Sequence, residues 1–444
     1  MTRSALFAAT AAMALALSAA CGGGSSQRTA ASPAATPSSA AQVAAARQRQ
    51  DARIRFLEDR AAGDPLDVFS LNSLAQEHMQ RARETGDVSE LTRAEQALDR
   101  SLRIRRNDNY EGIILLASVS ATKHDFARAL DLAQQAIPQK PGEAYGYGVL
   151  GDAYMGLGRY DEADFAYEKM VTIAPDLSAF GRRALLFQAR GRIEDAEASW
   201  QDAIRDAAGD GVPEHSAWAH AQLANLLFSI GRVDAAGENY RQSLDVFPGY
   251  VHALAGLGRV AAAQGDLGLA ANYYTRAINT VPLPEYVSAL GDVYAAAGDE
   301  KNASSQYELI GAIEQLYAAN GVNLDLQIAL FNADHGREIT ATVERARRAA
   351  AAQPSIQAAD VLAWAEYQAG NIDAAKTAIE RALSTGTVDP LIAFHAGVVY
   401  KAAGEPAKAK EYLTRLEART PQFSVRYAGQ AKEALDELNA PQAG

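Results

Sequence analysis

Small and bulky apolar residues recur along this chain at spacings that gather them on one face of a helix, and the pattern restarts about every 34 residues. It is clearest over residues 144–177, where Tyr147, Leu150, Gly151, Tyr154, Ala163, Tyr167 and Pro175 stand at positions 4, 7, 8, 11, 20, 24 and 32 of the unit. Gly158-Arg159-Tyr160 divides that unit into two helical stretches. The same frame fits eight further copies, beginning at Tyr110, Leu177, Ala217, Val251, Pro284, Val322, Ile356 and Pro390. Position 20 is alanine in each: Ala129, Ala163, Ala196, Ala236, Ala270, Ala303, Ala341, Ala375 and Ala409.

The spacing has a direct physical reading. Two helices that pack about 8–10 Å apart need small side chains where they cross, which positions 8 and 20 supply. Larger residues at positions 4, 7, 11 and 24 fill the gaps, glycine ends the first helix, and proline at position 32 stops the second. One such pair cannot bury its apolar face alone, so the copies must stack. Around them the pattern predicts a leading helix over residues 43–64, a divergent first pair over 65–109, nine pairs over 110–423, and a C-terminal helix and tail over 424–444. The step is broken at residues 83–90, at a Gly- and Asp-containing loop over 207–215, and at 314–321, where a second helix is lengthened.

The unit resembles the tetratricopeptide repeat (TPR), with Met170 where the consensus has alanine at position 27. The resemblance implies an all-α fold, an α-solenoid superhelix of about ten helix-turn-helix repeats with an N-terminal helix and a C-terminal cap. It also implies a concave surface lined by the first helices, with positions 2, 5, 9 and 12 pointing into it. Those positions include Tyr145, Asp152, Trp218, Asn225, Phe228, Arg259, Asp292, Trp364, Tyr367 and Phe394. Two readings of Trp218 and Trp364 stay open: exposed interface anchors, or side chains packed between repeats. Glu111, Asp152, Glu285, Asp292 and Asp360 against Arg259 and Lys401 make the surface mildly acidic, suited to an extended neutral or basic partner segment. The Lys and Asn clamp that holds a C-terminal carboxylate in some TPR proteins has no counterpart, since Ala221 and Gly256 stand at its positions.

The first residues read differently. Arg3 precedes an uncharged apolar run over residues 5–20, short for a membrane span, which needs about 20 residues, and suited to a signal peptide, residues 1–20. Leu17-Ser18-Ala19-Ala20-Cys21 resembles a bacterial lipobox, with Ser18 where that motif prefers leucine. The resemblance implies lipidation at Cys21, the only cysteine, and Gly22 after it points to the outer membrane. The alternative is an ordinary signal peptide cut after Ala14-Leu15-Ala16. Residues 21–42, rich in Gly, Ser, Ala and Pro, read as a disordered tether with a reach of roughly 25 Å.

Composition narrows the function. A net charge of −12 argues against nucleic-acid binding, which needs clustered Lys and Arg. Gly146-Tyr147-Gly148-Val149-Leu150-Gly151 matches GxGxxG, but no strand precedes it and its residues already serve the repeat. His215 and His220 are five apart, off a common helical face, and read as a solvated pair. No metalloprotease, phosphate-loop or nucleophile-elbow motif occurs. The sequence thus predicts a non-enzymatic protein-binding scaffold without cofactor, metal or small-molecule substrate, joined to a membrane through its lipid and facing the periplasm. Its narrower alternative is a subunit of an envelope system for exopolysaccharide export, or for pilus or outer-membrane protein assembly.

Overall fold

The computed structural model describes residues 39–440. The signal peptide, Cys21 and the tether as far as residue 38 lie outside the described residues, whereas Ser39 to Gln42, expected in the tether, begin the first helix. Twenty-two α-helices and no strand are found among the described residues. After α1 (Ser39–Gly63) come ten antiparallel pairs. They are α2 (Val68–Thr85) with α3 (Ser89–Ile104), α4 (Tyr110–Thr122) with α5 (Phe126–Ala136), and α6 (Ala144–Gly156) with α7 (Tyr160–Ile173). Next are α8 (Leu177–Ala189) with α9 (Ile193–Asp210), α10 (Pro213–Ser229) with α11 (Val233–Val246), and α12 (Val251–Ala263) with α13 (Leu267–Thr280). Then follow α14 (Pro284–Ala296) with α15 (Glu300–Ala319), α16 (Asp325–Asp334) with α17 (Ile339–Ala352), α18 (Ile356–Gln368) with α19 (Ile372–Ala382), and α20 (Pro390–Ala402) with α21 (Pro406–Arg419). The closing helix is α22 (Ala428–Asn439).

The repeat code acts through close approach. A Cβ on Gly151 would lie 2.2 Å from the ring of Tyr167, so position 8 is glycine because the position-24 ring rests on the backbone there. The position-20 alanines at 129, 163, 196, 236, 270, 375 and 409 are wholly buried in the same crossings. Ala341 is the exception and is exposed. Glu338 takes a left-handed φ of 45° and adds one residue to the turn, so Thr342 occupies the crossing instead, its hydroxyl donating to the Arg337 carbonyl at 3.0 Å.

Two further expectations need correction. Residues 207–210 continue α9 and Pro213 starts α10, so the loop over 207–215 shrinks to a two-residue turn, as proline at the first helical position favours. Residues 424–427 form turns rather than the start of the last helix.

The coil is wound tightly enough for successive superhelical turns to touch. The Ile356 amide donates to the Tyr160 hydroxyl at 2.9 Å, and the Thr385 hydroxyl donates to the Ala189 carbonyl at 2.5 Å. A Cβ on Gly231 (φ 82°) would fall 1.8 Å from the Arg419 carbonyl oxygen. Ala82, Val88 and Leu91 of the first pair share one apolar cluster with Val287, Ile310, Ile313 and Phe331. This seam fixes the pitch, because each contact joins segments that lie about one superhelical turn apart.

Candidate functional site

First helices of successive pairs pack against one another along the coil, which places them on its inner wall. The ten side chains expected to face a partner lie on that wall, but eight of them are buried. Tyr145, Asp152, Trp218, Phe228, Arg259, Asp292, Trp364 and Phe394 are each under 9% exposed, and only Asn225 and Tyr367 are partly open. Trp218 packs over Gly181, edge-on to Trp200 with ring centroids 5.2 Å apart. Of the two readings of the tryptophans, packing between repeats is the one the structure contains.

At position 9 the buried polar groups are joined in a recurring relay. The position-24 tyrosine donates to the position-9 side chain of its own pair: Tyr167 to Asp152 at 2.9 Å, Tyr240 to Asn225 at 2.5 Å, and Tyr307 to Asp292 at 2.9 Å. A nitrogen-bearing side chain from a later segment then joins. Arg182 clasps Asp152 through Nε at 2.9 Å and a terminal nitrogen at 2.8 Å. Arg259 donates to Asn225 at 2.8 Å while lying 4.4 Å over the Phe228 ring. His335 reaches Asp292 at 3.1 Å. A buried carboxylate is tolerable only when paired in this way. These couplings, which the inward-facing reading missed, carry a visible signal: in each case the tyrosine follows its acceptor by fifteen residues.

Farther along, the wall becomes aromatic. The Trp364 ring stacks between Tyr367 (5.2 Å) and His395 (4.2 Å), and its Nε1 donates to Asp334 at 2.9 Å. His395 pairs with Asp360 at 2.7 Å. Residues 423–427 cross this stretch: Tyr427 stacks on Phe394 at 4.8 Å and donates its hydroxyl to Asp334 at 2.8 Å. Arg426 donates to Asp292 at 3.3 Å and to the Asp334 carbonyl.

Burial also shifts protonation on the wall. It pushes Glu285 up to about 7 and Tyr145 up to about 12. It pushes His252 down to about 4, and the ring shares a hydrogen bond with the Tyr286 hydroxyl 2.5 Å from Nδ1. The GxGxxG stretch lies inside α6, with Gly148 against Met170 and Arg182 and Gly151 against Tyr167. His215 is buried rather than solvated, and His220 faces Asn239 instead of its neighbour.

Comparison with known proteins bears on the repeats. Family models described as Tetratricopeptide repeat match residues 144–177, 221–286 and 361–422. Protein KINESIN LIGHT CHAIN-RELATED 3 of Arabidopsis thaliana is 25% identical over 215 residues, covering 42% of this chain and 33% of that protein. The chain thus spans about a third of the length of the curated relative it matches. Among solved structures, the type IV pilus biogenesis factor PilW is similar with a TM-score of 0.39 and 19% identity, over 46% of this chain and 94% of PilW. Pseudomonas aeruginosa pilF follows with a TM-score of 0.38 and 16% identity, over 48% of this chain and 94% of that one. The chain carries tetratricopeptide repeats, and its fold is an all-α TPR superhelix.

Proposed function

We propose that this protein is a non-catalytic, protein-binding scaffold, held to a bacterial membrane by a lipid on Cys21 and facing the periplasm, that grips an extended neutral or basic partner segment along its inner wall. The observation that carries the binding reading is the wall of α14, α16, α18 and α20. There Asp292, Asp334 and Asp360 lie beside a run of stacked aromatic rings. Carboxylates supply direction for a cationic side chain, and flat rings supply area at low cost in side-chain entropy.

Affinity purification of the full-length protein from membranes tests this reading. A partner should be recovered, and Tyr367→Ala, which removes a partly open ring, should reduce recovery about fivefold at unchanged helicity. Equal recovery would move the binding surface off this wall. The anchor is tested separately: Cys21→Ser should abolish labelling by a palmitate analogue, and unchanged labelling would end that part of the proposal. The identity of the recovered partner separates a general scaffold from a subunit of an envelope export or assembly system.

A further inference from the structure

Eight residues, 420–427, join α21 to α22. Residues 421–427 form an arm that turns into the coil and lies on the inner walls of α14, α16, α18 and α20. Phe423 and Tyr427 are 2% and 3% exposed. Phe423 lies 5.8 Å from the Phe394 ring, and Tyr427 sits between Phe394 and Trp364, 5.7 Å from the latter. Val425 packs against the apolar cluster that contains Tyr274, Tyr286 and Leu290. Resting on the scaffold reading above, we propose that this arm is a built-in occupant of the partner site. The site then takes a basic, turn-forming segment in which two aromatic side chains flank an arginine.

Three observations carry the proposal. The wall residues met by the arm are inward-facing ones: Asp292, Trp364 and Phe394 stand at positions 9, 9 and 5 of their units. Where the same position 9 is Asp152, the arginine beside it comes from the adjacent pair, 30 residues away. At Asp292 the adjacent pair supplies His335, and the arginine comes from the arm, 134 residues away, so the permanent charge is brought by a separable segment. The attachment is also made of side chains. The arm's backbone closes on itself, Phe423 donating to the Thr420 carbonyl at 3.1 Å and Ala428 to the Ser424 carbonyl at 3.0 Å. Detachment therefore breaks ring contacts and ion pairs and leaves the stacking of the pairs intact. The net charge of −12 further favours a cationic competitor.

The test uses the full-length chain and a fluorescein-labelled synthetic peptide spanning residues 420–430. The triple variant Phe423→Ala, Arg426→Ala, Tyr427→Ala should bind this peptide saturably and at least tenfold more tightly than the wild-type chain does. A peptide with the same three positions changed to alanine should not bind. A variant with wild-type helicity that ignores the peptide would overturn the proposal, even if Tyr367-dependent partner capture persists; the arm would then be an end cap and the scaffold reading would stand alone. Hydrogen exchange on the unaltered protein gives a second readout that needs no variant. Amides of Phe423, Ala428 and Ala431 should exchange at least tenfold faster than those in the middle of α20. Exchange at the α20 rate would mean that the arm leaves only when the coil unfolds, and would equally overturn the proposal.

Discussion

The inner wall is closed in two different ways. From α6 to α12 each polar inward position is closed by its neighbours: Tyr167 and Arg182 on Asp152, Tyr240 and Arg259 on Asn225. From α14 to α20 Tyr307 and His335 close on Asp292 in the same local way, and the arm adds Arg426 to Asp292 and Tyr427 to Asp334. Local closure makes one half a permanent strut. Closure by a remote segment leaves the other half a site that can be vacated. Both halves use the position-9 relay, and the difference lies in the remote arm added over one of them.

Breaking the local closure should have the largest effect. Arg182→Ala strands the buried Asp152 carboxylate and should cost about 3–5 kcal/mol, read as a lowered urea midpoint. Gly151→Val, which drives side-chain atoms into a space where even a Cβ would lie 2.2 Å from the Tyr167 ring, should cost about 1–3 kcal/mol or more in the same experiment. Arg426→Ala should cost less, about 1–2 kcal/mol, because that side chain is 26% exposed and Asp292 keeps His335 and Tyr307. Arg182→Ala and Arg426→Ala with equal costs would erase the distinction between the two halves.

The smallest effect is one of pH. Burial raises Glu285 to about 7, so the folded state prefers its protonated form, and stability is lost as pH rises from the ordinary carboxylate range to about 7. Glu285→Gln should therefore melt with the wild type near pH 4 and a few degrees above it at pH 8. His252, lowered to about 4, acts in the opposite sense and only between pH 4 and 6.5; both proteins share it, so it cancels in the difference. A variant no more stable than wild type at pH 8 would show that Glu285 is solvated.

What the sequence reveals and what it hides follow from the range of the contacts involved. The helix pairs were legible because Gly151, Ala163 and Tyr167 meet within one unit. So, with more care, were the Tyr–Asp couplings at a spacing of fifteen. The misplaced crossing at Ala341 came from one left-handed residue, Glu338, which the fixed frame could not register. The burial of Trp218 was half legible, since Gly181 leaves a gap of the right size, but the gap and its filler stand in different units. The closure of Trp364, Phe394 and Asp292 was not legible at all. It depends on the pitch of the coil, the sum of many small rotations between pairs, and on an arm whose short turns carry no repeat signature. The repeat frame alone therefore leaves open whether an inward position is exposed or filled.

The central claim is that the inner wall beside the arm, rather than the outer face, meets the partner. A photo-crosslinking amino acid placed at Tyr367 on the wall, or at Phe165, which is 66% exposed on the second helix of its pair, tests this in intact cells. The account predicts a crosslinked partner from position 367 and none from position 165. The same partner trapped from 165, with nothing from 367, would contradict it.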